Sequence, residues 1–210
     1  MYTWPCAPVL AWYLWSHRTD LVGKNVIELG AGTSLPGVVA AKCGAQVTLS
    51  DCSRFTKCLD NCHTSAIANG VGDKVIKHLF NKSAKRNINI ETLILQVKVI
   101  GITWGTFEPQ FLKLDPVDLI ISSDCFYDPV VFEPILVTVS YLLEKNPLAS
   151  FVCSYKERSS DWSLEPWLSK WKLSCRIIEA ASIFSNSDVD VAELTQDHSI
   201  QLFEIRRLVS

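Results

Sequence analysis

"NVIELGAGTSLPG" spans residues 25–37 and joins a short apolar run to a turn that holds two glycines. The run is apolar except for Glu28, as is typical of a parallel strand whose two faces are covered by helices. Gly30 and Gly32 permit a tight turn and leave room for a ligand to approach the backbone. The stretch therefore predicts a buried strand that ends at a turn open to a ligand.

The residues after this turn continue the pattern of an α/β unit. "LPGVVAAKCGA", residues 35–45, is typical of a helix, and Gly44 is a common stop signal for one. "QVTLSD" then predicts a second strand that closes on Asp51. Strand, glycine turn, helix, strand and terminal acid together predict the first half of a Rossmann-like unit.

Three residues indicate what this turn binds. A dinucleotide fingerprint needs a third glycine at position 35, which is Leu35 here, so a pyrophosphate would lose its usual support. Glu28 would repel a phosphate and favours a cationic ligand such as S-adenosylmethionine. Asp51 lies about twenty residues past the turn, where an acid typically hydrogen-bonds ribose hydroxyls. These features favour S-adenosylmethionine over a nicotinamide cofactor, and a structural turn without a ligand is the alternative.

Alternating apolar strands and helices continue along the 210-residue chain. They predict a single domain with a Rossmann-like, seven-stranded, mostly parallel sheet, helices on both faces and an antiparallel last strand. The third strand is predicted over 98–105, and a long helix over 129–146 that is broken or shifted at Pro134. Residues 73–98 form a basic segment that is longer than a usual connection. We interpret it as a surface insertion, with a substrate-facing loop as the alternative.

Composition and charge exclude several classes of protein. Hydrophobic residues make up 48% of the chain and charged residues 20%, which predicts a folded globular protein. A formal net charge of -2 argues against direct binding to nucleic acid, and no apolar stretch is long enough to span a membrane. The scattered cysteines suit a reducing compartment. Cys58 and Cys62 share a helix face beside His63 but lack the paired spacing of zinc sites, so we expect no metal.

"IISSDCFYDP", residues 120–129, ends the predicted strand beside the strand of the glycine turn. Ligands of open α/β sheets lie at the carboxyl ends of the strands, so a methyl group held over the turn would face Asp124. A carboxylate there would align an amine acceptor, and Phe126 or Tyr127 would pack over its charge. The alternative is that Asp124 caps the next helix, although Asp128 already offers such a start.

Two tryptophans are candidates for the walls of the same pocket. Trp104 is predicted at the end of the third strand, on the sheet edge that also carries Asp51, where an adenine would lie. Trp4 precedes the first helix. For both residues the alternative is ordinary core packing, since large aromatic side chains are usually buried.

Five stretches of the chain carry a resemblance to a known family: "YTWPCAPVLAWYLW", "IELGAGTSLPGVVAAKCGAQVTLSD", "GITWG", "SSDCFYDPVVFEPIL" and "RSSDWSLEPWLSKW". They resemble the seven-strand, S-adenosylmethionine-dependent protein methyltransferases that have an Asp-x-x-Phe/Tyr motif. The resemblance covers nearly the whole chain apart from residues 73–98, and the combination of motifs is specific.

The resemblance implies a site and a substrate class. The cofactor residues are expected to be Trp4, Gly30, Ala31, Gly32, Asp51, Trp104 and Ser123, and the catalytic residues Asp124, Phe126 and Tyr127. Glu28 joins the cofactor residues because of its place before the glycine turn. The wider family mostly methylates lysine in non-histone proteins, often chaperones or translation components. A member that shares these motifs is associated with arginine methylation of histone H3, and with the nucleus and the cytoplasm. We therefore expect a protein substrate, histone H3 or another protein, a chaperone as a further partner, and a cytoplasmic and nuclear protein.

The residues themselves leave the acceptor open between arginine and lysine. A guanidinium, with a pKa above about 12, is not neutral in a protein, whereas lysine near about 10.4 is easier to deprotonate. Typical arginine methyltransferases use two glutamates on one loop; here only Glu157 and Asp124 suggest such a clamp. The resemblance favours histone arginine, and we follow it. The alternatives are lysine methylation of a protein such as a chaperone, methylation of a small molecule, and a non-catalytic interaction module that keeps the fold.

Overall fold

A computed structural model describes residues 2–72, 96–179 and 199–208. The strands are β1 (Asn25–Leu29), β2 (Gln46–Asp51), β3 (Val97–Gly101), β4 (Leu119–Ser123), β5 (Ser150–Lys156), β6 (Leu173–Ile178) and β7 (Ile200–Arg207). The α-helices are α1 (Cys6–Ser16), α2 (Leu35–Lys42), α3 (Thr56–Ala68), α4 (Pro109–Leu112), α5 (Phe132–Lys145) and α6 (Glu165–Lys170), and short 3-10 helices span Arg18–Leu21 and Pro129–Val131.

The seven strands form one sheet in the order β3-β2-β1-β4-β5-β7-β6. Strands β1 to β5 run parallel to one another, and β7 runs antiparallel to both β5 and β6. The predicted fold class is therefore confirmed. Since β1 and β4 are adjacent, the chain leaves the sheet at the same edge after Leu29 and after Ser123. The glycine turn and the Asp-x-x-Phe/Tyr segment thus begin side by side.

Successive side chains of the central strands point to opposite faces of the sheet, and a hydrophobic core forms on each face. Ile27 and Ile120 pack into the core beneath α5, whereas their neighbours Val26 and Ile121 pack into the core beneath α1 and α2. All four side chains are at most 2% exposed. Burying a side chain of this size contributes roughly 1.5–3 kcal/mol, so apolar residues on both faces of β1 and β4 hold these two strands at the centre of the sheet.

Three predicted boundaries differ from the observed ones. β3 ends at Gly101 rather than at residue 105, because the chain turns at Thr103, whose carbonyl accepts a hydrogen bond from Thr106 N. The helix over 129–146 is interrupted at Phe132, ahead of Pro134, which then lies in the first turn of α5, where a missing N–H costs little. Residues 97 and 98 of the predicted insertion belong to β3.

Residues 73–95 of the predicted insertion lie outside the described residues. Within the described ranges, no helix combines the length and the apolar character needed to cross a membrane.

Candidate active site

The glycine turn after β1 is held open in a backbone conformation that favours glycine. Gly30 has φ +66° and Gly32 has φ +51°, both in the left-handed region. Between them Ala31 is buried and donates its N–H to Ser50 O at 2.8 Å, while Asn61 donates to Gly32 O at 2.8 Å. A Cβ at Gly32 would meet nothing within 4 Å. The turn is thus fixed from β2 and α3 and open on its outer side, as an approaching ligand requires.

Asp51, at the end of β2, is tied directly to this turn. One carboxylate oxygen accepts Gly32 N–H at 2.9 Å, and the other accepts the N–H of Cys52 at 2.8 Å. A carboxylate has about four lone-pair positions, so two remain for a ligand. A ribose with two neighbouring hydroxyls matches that remaining capacity. Asp51 and the open face of Gly32 therefore fit the nucleoside part of S-adenosylmethionine.

Trp104 forms a wall of the same site, as a residue of the turn that follows β3. Its indole lies against the backbone of Gly30, where an added Cβ would be 2.8 Å from Trp104 Cζ2. The ring of Tyr127 lies 6.5 Å away, between centroids, and is half exposed. The structure thus brings Trp104, Tyr127 and the glycine turn together, although they are far apart in the sequence.

Glu28 occupies a different place from the ligand-facing one that the sequence predicted. Its side chain is fully buried beneath α2, where Oε2 accepts the N–H of Gly37 at 3.0 Å. Burial raises the pKa of this carboxyl to about 8, against the lowering effect of the Gly37 hydrogen bond. Glu28 therefore carries little charge at neutral pH, and its contacts are those of a group that joins α2 to the sheet.

Asp124 stands directly after β4 with a left-handed backbone, φ +56°, and its N–H donates to Ser154 O at 2.8 Å. The residue is buried, and its carboxylate is held by the guanidinium of Arg158 through two hydrogen bonds, of 2.9 and 2.6 Å. Such two-point pairs are strong and fix the orientation of both groups. Asp128, and not Asp124, caps the following 3-10 helix by accepting the N–H of Val130.

Arg158 is the residue that the sequence pattern did not reveal. The pattern suggested Glu157, which is exposed, as a partner of Asp124 for a guanidinium. The available signal was positional: β4 and β5 are neighbours, and Ser123, the last residue of β4, is in register with Ser154, two residues before the end of β5. Residues that follow the two strands therefore meet, and an arginine close after β5 is within reach of an acid after β4.

The two aromatic residues of the motif point into different environments. Phe126 is completely buried and packs edge-to-face on Phe132, with ring centroids 5.6 Å apart, and on Tyr155. It is a core residue here, so the predicted packing over a substrate cation is left to Tyr127. Burial raises the pKa of the Tyr127 hydroxyl, with smaller contributions from Asp128 and other neighbouring groups.

The last two predicted site residues, Ser123 and Trp4, differ in exposure. Ser123 is partly buried at the end of β4. Trp4 is 59% exposed, with the ring of Tyr2 edge-on at 5.2 Å, so it is not a core residue. The hydroxyls of Thr3 and Thr33, 3.4 Å apart, connect the segment of Trp4 to the glycine turn.

The cysteines near the turn form ordinary packing contacts. Cys62 is fully buried and directs its thiol towards Gly32 O, 3.9 Å away, while Cys58 is partly exposed on the same helix. Across residues 2–72, 96–179 and 199–208, no cluster of three or more His, Cys, Asp or Glu side chains is arranged to hold a metal ion.

Comparisons with known proteins agree with the fold and with the motifs. A family model described as lysine methyltransferase matches residues 1–79 and 76–164. The solved structure of a ribosomal protein L11 methylase from Lactobacillus delbrueckii subsp. bulgaricus aligns over 95% of this chain and 77% of its own, with a TM-score of 0.56 and 14% identity. At that identity the likeness concerns the fold alone.

Relatives found by sequence comparison share much more identity with this chain than that structure does. A protein of Xenopus laevis named histone-arginine methyltransferase METTL23 is 43% identical over 98% of this chain and 78% of its own length. The Homo sapiens protein of the same name is 42% identical over 98% of this chain and 96% of its own length. A Mus musculus protein named protein N-lysine methyltransferase METTL21A is 30% identical over 76% of this chain and 63% of its own length.

These relationships reach beyond the fold, because the identity to the METTL23 proteins extends over nearly the whole chain. The family match covers both the glycine turn and the Asp124 segment. The residues around the turn also fit S-adenosylmethionine, the cofactor of such enzymes. The chain belongs to the family of S-adenosylmethionine-dependent protein methyltransferases that the lysine methyltransferase model describes, with the METTL23 proteins among its relatives.

Proposed function

We propose that this methyltransferase acts on an arginine side chain of histone H3. The observation that carries the proposal is the two-point hydrogen bonding between Asp124 and the guanidinium of Arg158. The buried carboxylate of Asp124 thus already holds one planar guanidinium, so its orientation suits such a group. The names of the Xenopus laevis and Homo sapiens relatives support arginine in a histone, and the resemblance of the motifs supports histone H3 in particular.

Each residue of the site has a role in this reaction. S-adenosylmethionine, when bound, supplies a methyl group on a positively charged sulfur. Gly32 and Asp51 bind its nucleoside part, and Trp104 limits that pocket on the side of Gly30. Asp124 aligns the acceptor nitrogen and is placed to take the proton that this nitrogen loses, while Tyr127 packs over the remaining charge. The chain's contribution is thus mainly alignment and charge balance.

Lysine methylation of another protein is the second candidate. The family description and the Mus musculus METTL21A relative favour it. A lysine ammonium, with a pKa of about 10.4, also loses its proton more easily than a guanidinium in a pocket sheltered from water. A chaperone is the substrate class we propose for this case. For either acceptor we propose that the protein acts in the cytoplasm and the nucleus.

The test has two parts and uses the full chain. Calorimetric titration with S-adenosylhomocysteine measures cofactor binding. Transfer of a labelled methyl group is then measured on histone H3 peptides in which each arginine or each lysine is replaced singly. Binding, with label that disappears when one arginine is replaced, is the expected result. Label that follows a lysine replacement would favour the second candidate, and absence of cofactor binding would favour a non-catalytic interaction module.

A further inference from the structure

Arg158 occupies the position on Asp124 that the proposed substrate would need. Both carboxylate oxygens of Asp124 accept from the Arg158 guanidinium. The side chain of Asp124 is 7% exposed and that of Arg158 is 24% exposed, so the arginine lies outside the acid and covers it. A second cation cannot form the same two bonds while Arg158 is in place.

The attachment of Arg158 allows its side chain to leave. Arg158 follows β5 by two residues, in the irregular segment that precedes α6. Besides Asp124, its guanidinium donates to the carbonyl of Lys156 at 3.1 Å. Releasing Asp124 therefore requires rotation of one partly exposed side chain, and it leaves the strands in place.

The chemistry of the pair resembles that of the proposed complex. Arg158 presents a planar guanidinium with paired donors, and a substrate arginine would present the same group. Exchange of one for the other preserves both charge-assisted hydrogen bonds of Asp124, so the acid is never left buried and unpaired, a state that strongly destabilises a protein. The substrate must nevertheless compete with a group that is always present at the site.

We propose that Arg158 is an internal stand-in for the substrate cation, which neutralises Asp124 in the free enzyme and sets the affinity for the acceptor side chain. This inference rests on the proposed function. Arg158 thereby weakens the binding of every cationic side chain by the same factor. The preference for arginine over lysine comes from the two-point geometry of Asp124 itself, since the cost of displacing Arg158 is common to both and cancels in the ratio.

The experiment measures binding of N-acetyl-arginine amide to the full chain loaded with S-adenosylhomocysteine. The proteins compared are wild type, Arg158→Lys, Arg158→Ala and the control Arg207→Ala. Arg207 forms an ion pair with Glu144 at 3.0 Å. It lies at the end of β7, beside the beginning of β5, whereas Arg158 follows the end of β5. If Arg158 covers Asp124 in about nine-tenths of molecules, its removal tightens binding about tenfold. Arg158→Lys gives an intermediate affinity, and Arg207→Ala leaves it unchanged.

Measurements of KM and kcat distinguish two roles of Arg158, as a stand-in for the substrate cation or as a residue that only positions Asp124. With a labelled arginine peptide, the stand-in role predicts a lower KM and an unchanged kcat in Arg158→Ala. A positioning role predicts a lower kcat that Arg158→Lys restores, and that result overturns the inference. Equal or weaker binding of N-acetyl-arginine amide to Arg158→Ala also overturns it. If Arg158→Ala does not fold, Arg158→Lys provides the test. An affinity of that variant for N-acetyl-arginine amide that is equal to or lower than that of wild type overturns the inference.

Failure of the inference is distinguishable from failure of the proposed function. Wild-type chain that does not bind S-adenosylhomocysteine overturns the proposed function, and the inference with it. Normal S-adenosylhomocysteine binding in all four proteins, with no gain in affinity for N-acetyl-arginine amide in either Arg158 variant, overturns the inference alone.

Discussion

The indole of Trp104 lies directly on the backbone of Gly30, and a Cβ built on that glycine would be 2.8 Å from Trp104 Cζ2. Real side chains do not approach so closely, so only glycine fits at this position while Trp104 keeps its place. Gly30 also has φ +66°, which other residues adopt at a cost. The glycine is thus required twice, by the turn and by the tryptophan that covers it.

Gly30→Ala is therefore expected to destabilise the fold by more than backbone strain alone. Strain of this kind costs roughly 1–3 kcal/mol, and overpacking adds roughly another 1–3 kcal/mol. Truncation of Trp104 to Ala removes the overpacking term, so the double variant should be more stable than the sum of the single effects predicts. Urea denaturation of the four proteins in this double-mutant cycle measures the coupling. If the changes in the free energy of unfolding were strictly additive, the two residues would not be in steric conflict in Gly30→Ala.

Gly32→Ala is expected to separate cofactor binding from stability. Gly32 has φ +51° and no atom within 4 Å of the position that a methyl group would take, and Gly23 in the turn before β1 has φ +73° and equally open surroundings. Alanine at either position should lower the free energy of unfolding by a similar amount, on the order of 1–2 kcal/mol. Affinity for S-adenosylhomocysteine, measured by calorimetry, should fall only in Gly32→Ala, because that methyl group enters the ligand's space. An equal loss in both variants would contradict a cofactor site at this turn.

The sequence predicted those features that depend on local pattern. The apolar run before Gly30, the helix after it and the acid at the end of β2 follow from spacing, and the structure has them at the expected places. The predicted end of β3 was wrong, because the turn that carries Trp104 depends on contacts with β1 and α5 that lie far along the chain. Gly105 N, for instance, donates to the hydroxyl of Thr138.

The direction in which side chains point was the second feature that the sequence could not predict. The sequence places Phe126 and Tyr127 side by side, but it does not show that Phe126 enters the core while Tyr127 stays half exposed. Two residues before Phe126, the backbone of Asp124 adopts a left-handed conformation. That conformation, and the ion pair of Asp124 with Arg158, arise where the ends of β4 and β5 meet. The partners of this pair are 34 residues apart, beyond the reach of any local pattern.

The two aromatic residues of the motif should therefore respond differently to truncation. Phe126→Ala removes a fully buried ring and is expected to cost about 3–5 kcal/mol of folding stability. Tyr127→Ala, at a half-exposed position, should change stability by less than about 0.5 kcal/mol, as is usual for surface substitutions. It should instead raise the KM for the acceptor peptide. Thermal unfolding and peptide kinetics check the pair, and a Tyr127 variant with unchanged KM would remove that ring from substrate binding.

The buried carboxyl of Glu28 is expected to make the free energy of unfolding depend on pH. Burial raises the pKa of its carboxyl from 4.5 to about 8 in the folded protein. The folded state therefore binds the proton more tightly than the unfolded state, and this contribution is complete below pH 4.5 and is lost as the pH rises to about 8. Glu28→Gln keeps an acceptor for the N–H of Gly37 without the titration. The stability difference between wild type and Glu28→Gln should change by up to about 1.4 kcal/mol per pH unit in that window, in favour of the variant as the pH rises. Denaturation at several pH values across this window measures it, and a constant difference would contradict the raised pKa.

Asp124→Asn is the sharpest test of the proposed acceptor site. Asparagine tolerates the left-handed backbone that Asp124 adopts, φ +56°, better than alanine does, so the turn after β4 should persist. The amide accepts one hydrogen bond from Arg158 where the carboxylate accepts two, and it carries no charge to balance a cation. Methyl transfer should therefore fall by at least about 100-fold, the lower range for loss of a positioned acid–base group, while S-adenosylhomocysteine affinity stays within about twofold of wild type. Asp128→Asn is the matched control, because it preserves the oxygen that accepts the N–H of Val130 and lies outside the proposed acceptor site. Turnover in Asp124→Asn equal to that of Asp128→Asn would remove Asp124 from the mechanism, and a parallel loss of cofactor affinity would assign Asp124 to the cofactor pocket instead.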